Sequence, residues 1–363
     1  MSGTPARTDA EAATDVVCLG ESMVTFLPSQ PGRLADVPSF GRGIGGAESN
    51  VACALAAAGH RTAWVSRVGA DGFGDHLVGA ISAYGVDTSA VRRDPDRPTG
   101  IYFRTATDRG TDVHEVAYYR AGSAASAMSP SNVPHEALFA GRVLHLSGIT
   151  AALSAGCLEL LRELTAPRAG RPLVSFDVNH RPGLWRGADA SPGVLLDLAR
   201  GADLVFVGED EAEEAWGVKG ADAIREALPE PAVVVVKRGA DGATVFSGRG
   251  EAPRGGERPA PDAAAPDTVT DVPALHVDVV APVGAGDAFA AGFLSATLRG
   301  LPVRDRARHG HLMAAAVLTV PGDLTAPPAR DRADRLAALD DTDWGRLRLG
   351  PGWTGDDTEV HTR

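Results

Sequence analysis

The stretch around which the chain is organised is VVAPVGAGDAFAAG, residues 279–292, where apolar residues run into a glycine-rich turn that is followed by an acid. The small residues after Asp287 predict a helix that begins at this turn. Such a helix start offers backbone N–H groups and the positive end of the helix dipole, which together suit a phosphate. Asp287 is therefore either a general base for a hydroxyl that attacks phosphorus or a helix cap, where Asp is favoured anyway.

The composition sets limits on the class of protein. The chain has 363 residues, of which 44% are hydrophobic, enough for one large α/β unit with an appendage. Its formal net charge of −12 argues against nucleic-acid binding. We expect no membrane span, because no apolar run reaches about 18 residues. The cysteines, Cys18, Cys53 and Cys157, lie too far apart for a disulfide framework or a zinc site, and we expect buried thiols in the cytoplasm.

Strand-like and helix-like segments alternate along most of the chain. This alternation predicts an α/β fold with a central, mostly parallel sheet flanked by helices. The predicted strands of this sheet are residues 15–20, 62–68, 143–146, 173–177, 203–207 and 232–236. The last of these is fully apolar, which is typical of a central strand.

Three further segments do not show this alternation of strands and helices. Residues 1–14 are predicted to be a disordered N-terminus, residues 248–272 a long surface loop, and residues 339–363 a poorly ordered tail. The folded unit is thus expected over residues 15–338.

A small lid sheet is predicted to interrupt the α/β run. Residues 100–105 and 114–120 alternate and are rich in strand formers, which indicates an antiparallel hairpin. With residues 23–27 and 37–40 they would form a small antiparallel β lid within about residues 22–41 and 98–120. An exposed lid edge invites a second copy of the chain, so we expect a homo-oligomer.

Aromatic and basic side chains gather on the predicted lid. They are Tyr102, Arg104, Tyr118, Tyr119 and Arg120. Arginine recognises carboxylates and phosphates in a bidentate manner, so Arg104 and Arg120 are candidate substrate-binding residues. The alternative is a solvated edge strand whose charges guard against aggregation.

Other candidate residues lie just after predicted strands or at helix starts. Asn179 and Arg181 follow a strand end, where open α/β sheets bind ligands. Asn50 lies one turn inside a predicted helix, where its amide would bind either sugar hydroxyls or the local backbone. The formal GxGxxG at residues 41–46 does not directly follow the first strand, and no GxxxxGK[ST] is present, so neither a dinucleotide fingerprint nor a P-loop is predicted.

Two stretches together carry a family resemblance. One comprises GGAESNVA at residues 45–52 and RVGADGFG at residues 67–74, and the other is PVGAGDAF at residues 282–289. In this order, the chain resembles the ribokinase-like (PfkB) carbohydrate kinases over about residues 15–335. Within that family it is most similar to the 2-keto-3-deoxygluconate kinases, on residues 20–23, 118–124, 145–149 and 177–181.

The resemblance implies transfer of a phosphoryl group from ATP, with Mg²⁺, to the terminal hydroxyl of a keto-sugar acid. Asp287 matches the family's catalytic base. The positions that match an anion hole are Gly284, Ala285 and Gly286. Those that match groups around the substrate are Gly46, Ala47, Asn50, Tyr102, Tyr118, Arg120, Arg181 and Asp323. Those that match the nucleotide side are Asn179, Lys237, Gly239 and Gly242, with Gly284 and Gly286 shared.

The chain departs from the family pattern at two positions. Ala281 stands where relatives commonly carry an Asp that contributes to a monovalent-cation site in some of them, which leaves potassium activation open. In the family's Asn-x-x-Glu motif near Mg²⁺, Gly208 replaces the Asn and Glu211 remains, so Glu211 is a candidate metal contact through water. Alternatives to the leading prediction are another kinase of the family, acting on fructose or ribose, and a non-catalytic sugar-binding protein on this scaffold.

Overall fold

A computed structural model describes residues 14–105, 115–185, 192–248 and 267–355. Its strands, in chain order, are β1 (Thr14–Leu19), β2 (Met23–Pro28), β3 (Phe40–Gly45), β4 (Thr62–Val65), β5 (Arg67–Gly69), β6 (Arg92–Asp94), β7 (Ile101–Arg104), β8 (Val116–Tyr119), β9 (Gly141–Ser147), β10 (Leu173–Asp177), β11 (Leu204–Gly208), β12 (Val233–Lys237), β13 (Ala243–Ser247), β14 (Thr268–Val272), β15 (His276–Val277) and β16 (Arg348–Leu349).

The helices lie mostly between strands of the large sheet, as the alternating pattern predicted. In chain order they are α1 (Ala47–Ala57), α2 (Gly72–Ala83), α3 (His135–Leu138), α4 (Gly148–Ala151), α5 (Ala155–Thr165), α6 (Pro182–Trp185), α7 (Val194–Arg200), α8 (Glu209–Trp216), α9 (Ala221–Ala227), α10 (Ala285–Leu298), α11 (Val303–Leu318), α12 (Arg330–Ala337) and α13 (Asp341–Arg346). Among the described residues, no helix combines the length and the apolar character needed to cross a membrane.

The large sheet has the strand order β14-β13-β12-β11-β10-β9-β1-β4. The strands from β12 to β4 pair in parallel, whereas β13 and β14 are antiparallel additions at one edge. This confirms the predicted α/β fold with its mostly parallel sheet. The carboxyl ends of β1, β9, β10, β11 and β12 therefore share one edge, where ligands bind in open α/β sheets.

Both faces of this sheet are covered by a hydrophobic core. Val16 and Cys18 point into the core formed with α1, α10 and α11, while Val17 and Leu19 point into the core formed with α5 and α7. This alternation is the two-residue period of a strand, and burial on both faces explains why the strands read as continuous apolar runs.

The lid is a four-stranded sheet with the order β3-β2-β7-β8. It contains two antiparallel pairs, β2 with β3 and β7 with β8, and the second is the hairpin that the sequence predicted. The inner strands β2 and β7 pair in parallel, which the sequence did not indicate. The glycine-rich run before α1 is part of β3, a strand that we expected to end at Phe40. The connection between the two predicted strands of this hairpin, residues 106–113, lies outside the described residues.

The C-terminal segment differs from its prediction as a poorly ordered tail. Residues 339–355 include α13 and β16, and Trp344 is fully buried. The Trp344 indole N–H donates to the carbonyl of Pro273 at 3.0 Å, and the guanidinium of Arg308 lies 4.6 Å from the ring centre. Leu347, Leu349 and Trp353 are buried in the same core, so several apolar side chains hold this segment in place. Residues 356–363 lie outside the described part.

The predicted long loop and N-terminus are only partly described. Residues 249–266 of the predicted loop lie outside the described residues, but Thr268–Val272 forms β14 and pairs with β13, so the loop prediction was wrong there. At the other end β1 begins at Thr14, the last residue of the predicted disordered start, and residues 1–13 lie outside the described part.

Candidate active site

The first turn of α10 begins at the carboxyl edge of the large sheet. Gly284 caps the helix in a left-handed conformation, with φ of 79°. A Cβ atom on Gly284 would lie 2.6 Å from the carbonyl oxygen of Asp323, so both the backbone angle and the close approach require glycine. Gly286, in the same turn, is exposed. The geometry agrees with the helix start that the sequence predicted as an anion site.

Asp287 lies in this first turn and is oriented by a residue from the other end of the chain. The Asn50 side-chain amide donates to Asp287 Oδ2 at 2.8 Å. Burial raises the pKa of Asp287 to about 7, although the Asn50 hydrogen bond opposes the shift; the carboxylate of Asp177 adds to it, and Arg181 and Lys237 counteract it. A carboxylate with a pKa near neutral pH is suited to accept a proton from a hydroxyl.

Lys237 and Asp177 form an ion pair at the ends of β12 and β10. The Lys237 ammonium donates to Asp177 Oδ2 at 2.9 Å and Oδ1 at 3.1 Å. Burial opposes the charge of Lys237, but the Asp177 carboxylate outweighs it and raises the pKa of the lysine. The Lys237 Nζ is 3.6 Å from the place that a Cβ on Gly286 would occupy, so a positive charge lies at the first turn of α10.

Asn179 and Arg181 lie on the loop after β10, as the sequence predicted. Asn179 is buried and has a positive φ of 41°, and its backbone N–H donates to Asp177 Oδ1 at 3.2 Å. The Arg181 side chain is 53% exposed and lies 3.5 Å from Glu211 Oε1. Arg181 is therefore a cation that faces both Asp287 and Glu211.

Glu211, the candidate metal contact, already forms a hydrogen bond that caps a helix. Its Oε2 accepts the backbone N–H of Gly208 at 2.8 Å, at the start of α8. Within the described ranges, no three His, Cys, Asp or Glu side chains converge as a metal-binding cluster. Because Mg²⁺ in kinases is held by one or two carboxylates together with phosphates and water, Glu211 fits at most a contact through water.

Tyr102, Arg104 and Asp323 form a buried group where the lid meets the end of α11. The Arg104 guanidinium lies 2.7 Å from Asp323 Oδ1, and the Tyr102 hydroxyl donates to Asp323 Oδ2 at 3.2 Å. Burial raises the pKa of Asp323, although Arg104 opposes the shift. The structure thus does not place Arg104 on a solvated strand: its side chain is 3% exposed and its partner is a carboxylate of the same chain.

Arg120 is likewise paired within the chain. It forms a buried ion pair with Glu21, whose Oε1 accepts a hydrogen bond from Ser123. The guanidinium carbon of Arg120 is 5.9 Å from the centre of the Tyr118 ring, and that ring is 5.4 Å from the ring of Tyr102. Tyr118 itself is 54% exposed. Glu21 was not predicted, because nothing local in the sequence shows that it meets Arg120.

Asn50 and Asp323, the partners of Asp287 and of the lid residues, line the same small pocket together with Ala288. Gly46 and Ala47 open α1 above it, and a Cβ on Gly46 would lie 2.4 Å from the carbonyl oxygen of Glu21. Two of the glycines predicted on the nucleotide side differ in their surroundings. A Cβ on Gly239 would meet no atom within 4 Å, whereas a Cβ on Gly242 would lie 2.2 Å from the carbonyl oxygen of Val272.

Glu48 is a buried acid that the sequence analysis missed. Its Oε1 accepts hydrogen bonds from Ser147 at 2.8 Å and Thr150 at 2.7 Å, and burial raises its pKa. Gly20 is required beside it, because a Cβ there would lie 2.1 Å from the carboxyl carbon of Glu48. The only local signal was an acid in a helix whose other residues are mostly small or apolar.

The arrangement combines four elements that phosphoryl transfer needs. They are a carboxylate with a pKa near neutral pH, a helix start for an anion, a cation beside that start and a lid whose Tyr102 and Arg104 contact Asp323.

Comparison with known proteins agrees with this chemistry. Residues 13–330 match the model of the pfkB family of carbohydrate kinases. The chain is 34% identical over 322 residues to a 2-dehydro-3-deoxygluconokinase of Bacillus subtilis, covering 88% of this chain and 94% of the relative. It is 32% identical to the enzyme of that name from Thermoproteus tenax, covering 90% and 95%. It is 29% identical to the probable fructokinase-6, chloroplastic, of Arabidopsis thaliana, covering 87% and 80%.

Solved structures show the same fold. A PfkB protein from Polaromonas sp. JS666 superposes with a TM-score of 0.72 at 34% identity, covering 90% of this chain and 100% of that one. A sugar kinase from Pyrococcus horikoshii in complex with ATP superposes with a TM-score of 0.72 at 25% identity, covering 87% and 96%.

Proposed function

Since the chain belongs to the pfkB family of carbohydrate kinases, we propose that it transfers the γ-phosphoryl group of ATP to the terminal (6-) hydroxyl of 2-keto-3-deoxygluconate. This sugar acid is the one called 2-dehydro-3-deoxygluconate in the names of the Bacillus and Thermoproteus relatives. The observation that carries the proposal is the half-buried carboxylate of Asp287 in the first turn of α10, held by Asn50 at 2.8 Å. Asp287 takes the proton of the attacking hydroxyl as general base.

The two ends of the substrate would meet different arginines. The 6-hydroxyl and the carboxylate are at opposite ends of a six-carbon chain, so a sugar acid whose hydroxyl lies at Asp287 presents its carboxylate to the lid. Arg120, beside Tyr118 and Tyr102, is then the partner of the carboxylate. Arg181, which faces Asp287, is at the reacting end. Arg104 orients Asp323 and does not itself contact the sugar.

ATP would bind at the start of α10. Kinases of this family use ATP and Mg²⁺ in general, and the ion supplies charge neutralisation on the phosphates when it is bound. The chain's own part is the Gly284–Gly286 turn, the Lys237 ammonium and Glu211 through water. Ala281 supplies no carboxylate for a monovalent cation, and equal turnover in Na⁺ and K⁺ would agree with that.

The test is ADP release with ATP and Mg²⁺ against a panel of sugars. The panel contains 2-keto-3-deoxygluconate, its galactonate epimer, fructose, ribose and gluconate. Turnover confined to the keto-deoxy acids supports the proposal. Absence of turnover on every sugar, with sugar binding retained, would favour a non-catalytic binding protein instead.

A fructokinase-type activity is the second candidate, and one observation favours it. Both lid arginines are already paired with acids of the chain, Arg104 with Asp323 and Arg120 with Glu21, which leaves less positive charge for a substrate carboxylate. The similarity to the Arabidopsis probable fructokinase agrees with this alternative.

The variant Arg120→Gln separates the two candidates. For a carboxylate substrate we expect KM to rise by about tenfold or more, because a charge-assisted contact is lost, and for a neutral sugar we expect little change. Arg225→Gln is the matched control, since Arg225 is also a buried arginine paired with an acid, Asp267, but it lies at the opposite end of the sheet. Equal effects of Arg120→Gln on sugar acids and neutral sugars would favour the fructokinase type.

We further propose that the protein acts as a homo-oligomer in the cytoplasm. β8 is an edge strand of the described lid, and its Val116, Tyr118 and Tyr119 are 37%, 54% and 65% exposed, which suits pairing with a second copy. The three cysteines are free and buried, as expected in a reducing compartment. A single monomer mass in light scattering at micromolar concentration would contradict the oligomer.

A further inference from the structure

The ion pair between Asp177 and Lys237 is a buried charge pair whose acid has no assigned part in the reaction. The Asp177 side chain is 3% exposed and the Lys237 side chain 19%. The two residues end β10 and β12, and β11 lies between these strands, so the pair bridges the sheet at its carboxyl edge. Burying two charges is costly, and such a pair is weak evidence for stability on its own.

The pair places the lysine where an anion would bind. The Lys237 ammonium is at the first turn of α10, 3.6 Å from the place of a Cβ on Gly286. A lysine has a flexible four-carbon stem, so its charge has no fixed place unless another group holds it. Both oxygens of Asp177 contact the ammonium, at 2.9 and 3.1 Å, and they supply that restraint.

Asp177 also shapes the loop that follows its strand. Its Oδ1 accepts the backbone N–H of Asn179, which adopts a left-handed φ of 41° that is uncommon outside glycine. Two residues later the same loop presents Arg181 to Asp287. One carboxylate thus restrains a lysine and a loop that carries an arginine, and both cations flank the start of α10.

We propose that Asp177 is a positioning residue for phosphoryl transfer, which holds the Lys237 ammonium at the anion-binding turn of α10. The inference rests on the proposed function. Asp177 touches neither the sugar nor the phosphate, and it acts through Lys237. A fixed cation at the place where charge develops needs no reorganisation during the reaction, which is the source of its effect on rate.

The variant Asp177→Asn tests this, because asparagine keeps the shape and one acceptor oxygen but removes the charge. We expect kcat to fall by about tenfold or more while KM for the sugar changes by less than about threefold, since the sugar contacts are untouched. Asp203→Asn is the matched control: Asp203 contacts Arg171 at 3.2 Å at the opposite end of the same strands. We expect it to leave kcat unchanged.

A second readout does not depend on turnover. Binding of a non-hydrolysable ATP analogue is measured by calorimetry without sugar for the wild type, Asp177→Asn, Lys237→Met and the double variant. If Asp177 acts through Lys237, each single variant weakens binding and the double variant is no weaker than Lys237→Met alone. Three results would overturn the proposal. The losses of binding free energy in the two single variants would add up in the double variant, the Asp177→Asn variant would bind the analogue as the wild type does, or Asp177→Asn would change only the Mg²⁺ concentration that analogue binding requires.

The pH profile separates positioning from a merely structural role. The charged and amide groups that face Asp287 are Asp177, Lys237, Arg181 and Asn50. Lys237 lowers the pKa of Asp287, so Lys237→Met, which keeps Asp177, should move the acid limb of the rate to higher pH, and an unmoved limb would contradict the placement of the ammonium beside Asp287. The analogue-binding cycle needs no sugar substrate, so it remains informative if the sugar panel gives no turnover and the proposed function fails.

Discussion

The rate should depend on pH through the ionisation of Asp287. The base must be deprotonated to accept a proton, and burial raises its pKa to about 7. The ionised fraction is then about one eleventh at pH 6 and ten elevenths at pH 8, so kcat/KM should rise about tenfold between these values. The limb would be absent in Asp287→Asn, whose residual activity should be lower by about 10² or more.

Replacing Asn50 with alanine should move this limb upward. The Asn50 amide stabilises the charged carboxylate at 2.8 Å, and a hydrogen bond to a charged group contributes about 1.5–3 kcal/mol. Since one pKa unit corresponds to about 1.4 kcal/mol and Asp287 is only half-buried, we expect the lower end, a shift of about one unit. At pH 7 the variant should therefore show roughly a fifth of the wild-type kcat/KM, because about a tenth of its Asp287 is ionised against about half in the wild type.

The assay is a coupled measurement of ADP release between about pH 5.5 and 9.5, with each variant corrected for its folded fraction. Ser49→Ala is the control, because Ser49 is a buried neighbour on α1 that donates to Ser22 at 2.9 Å and leaves Asp287 untouched. A wild-type limb below about pH 5.5, or one that Asn50→Ala leaves in place, would refute the assignment of Asp287 as a base with a raised pKa.

Three further changes test the structure around the site. Gly284→Ala should destabilise the fold by more than the ~1–2 kcal/mol of the left-handed backbone alone, because its Cβ would also meet Asp323, and urea unfolding measures the loss. Arg104→Met should cost about 3–5 kcal/mol in the same assay, since it leaves the buried Asp323 carboxylate unpaired, whereas a double variant with Asp323→Leu should regain part of that loss. Burial raises the folded pKa of Glu48, so its contribution to stability is present below the unfolded value of about 4 and is lost as the pH rises through the folded value. The Tm of Glu48→Gln minus that of the wild type should therefore grow with pH above about 4, and a constant difference would contradict the raised pKa.

The sequence allowed prediction of the parts of the site that depend on local pattern. The turn at Gly284–Gly286 and the position of Asp287 follow from a glycine-rich helix start. Asn50 was expected to bind sugar hydroxyls or the local backbone, and its amide instead donates to Asp287. The parallel sheet follows from alternating strands and helices. Each of these signals lies within about one element of chain, where period and capping apply.

The partners of buried charges could not be predicted in the same way. Glu21 and Arg120, or Asp177 and Lys237, are far apart in sequence, and only the folded arrangement brings them together. The lid arginines were expected either to meet the substrate or to be solvated, yet both are buried against acids of the chain. The tail was predicted from its place at the end of the chain, whereas the structure buries Trp344, Leu347, Leu349 and Trp353 in the core.

The hydrogen bond between Asn50 and Asp287 spans 237 residues of sequence and joins α1 to α10. The orientation of the Asp287 carboxylate is thus a property of how two distant helices dock, and neither helix could set it alone. A nascent chain cannot form this hydrogen bond until α10 has been synthesised. Under the proposed mechanism, a substitution that loosens the contact between α1 and α10 should lower turnover even when Asn50 and Asp287 are both kept.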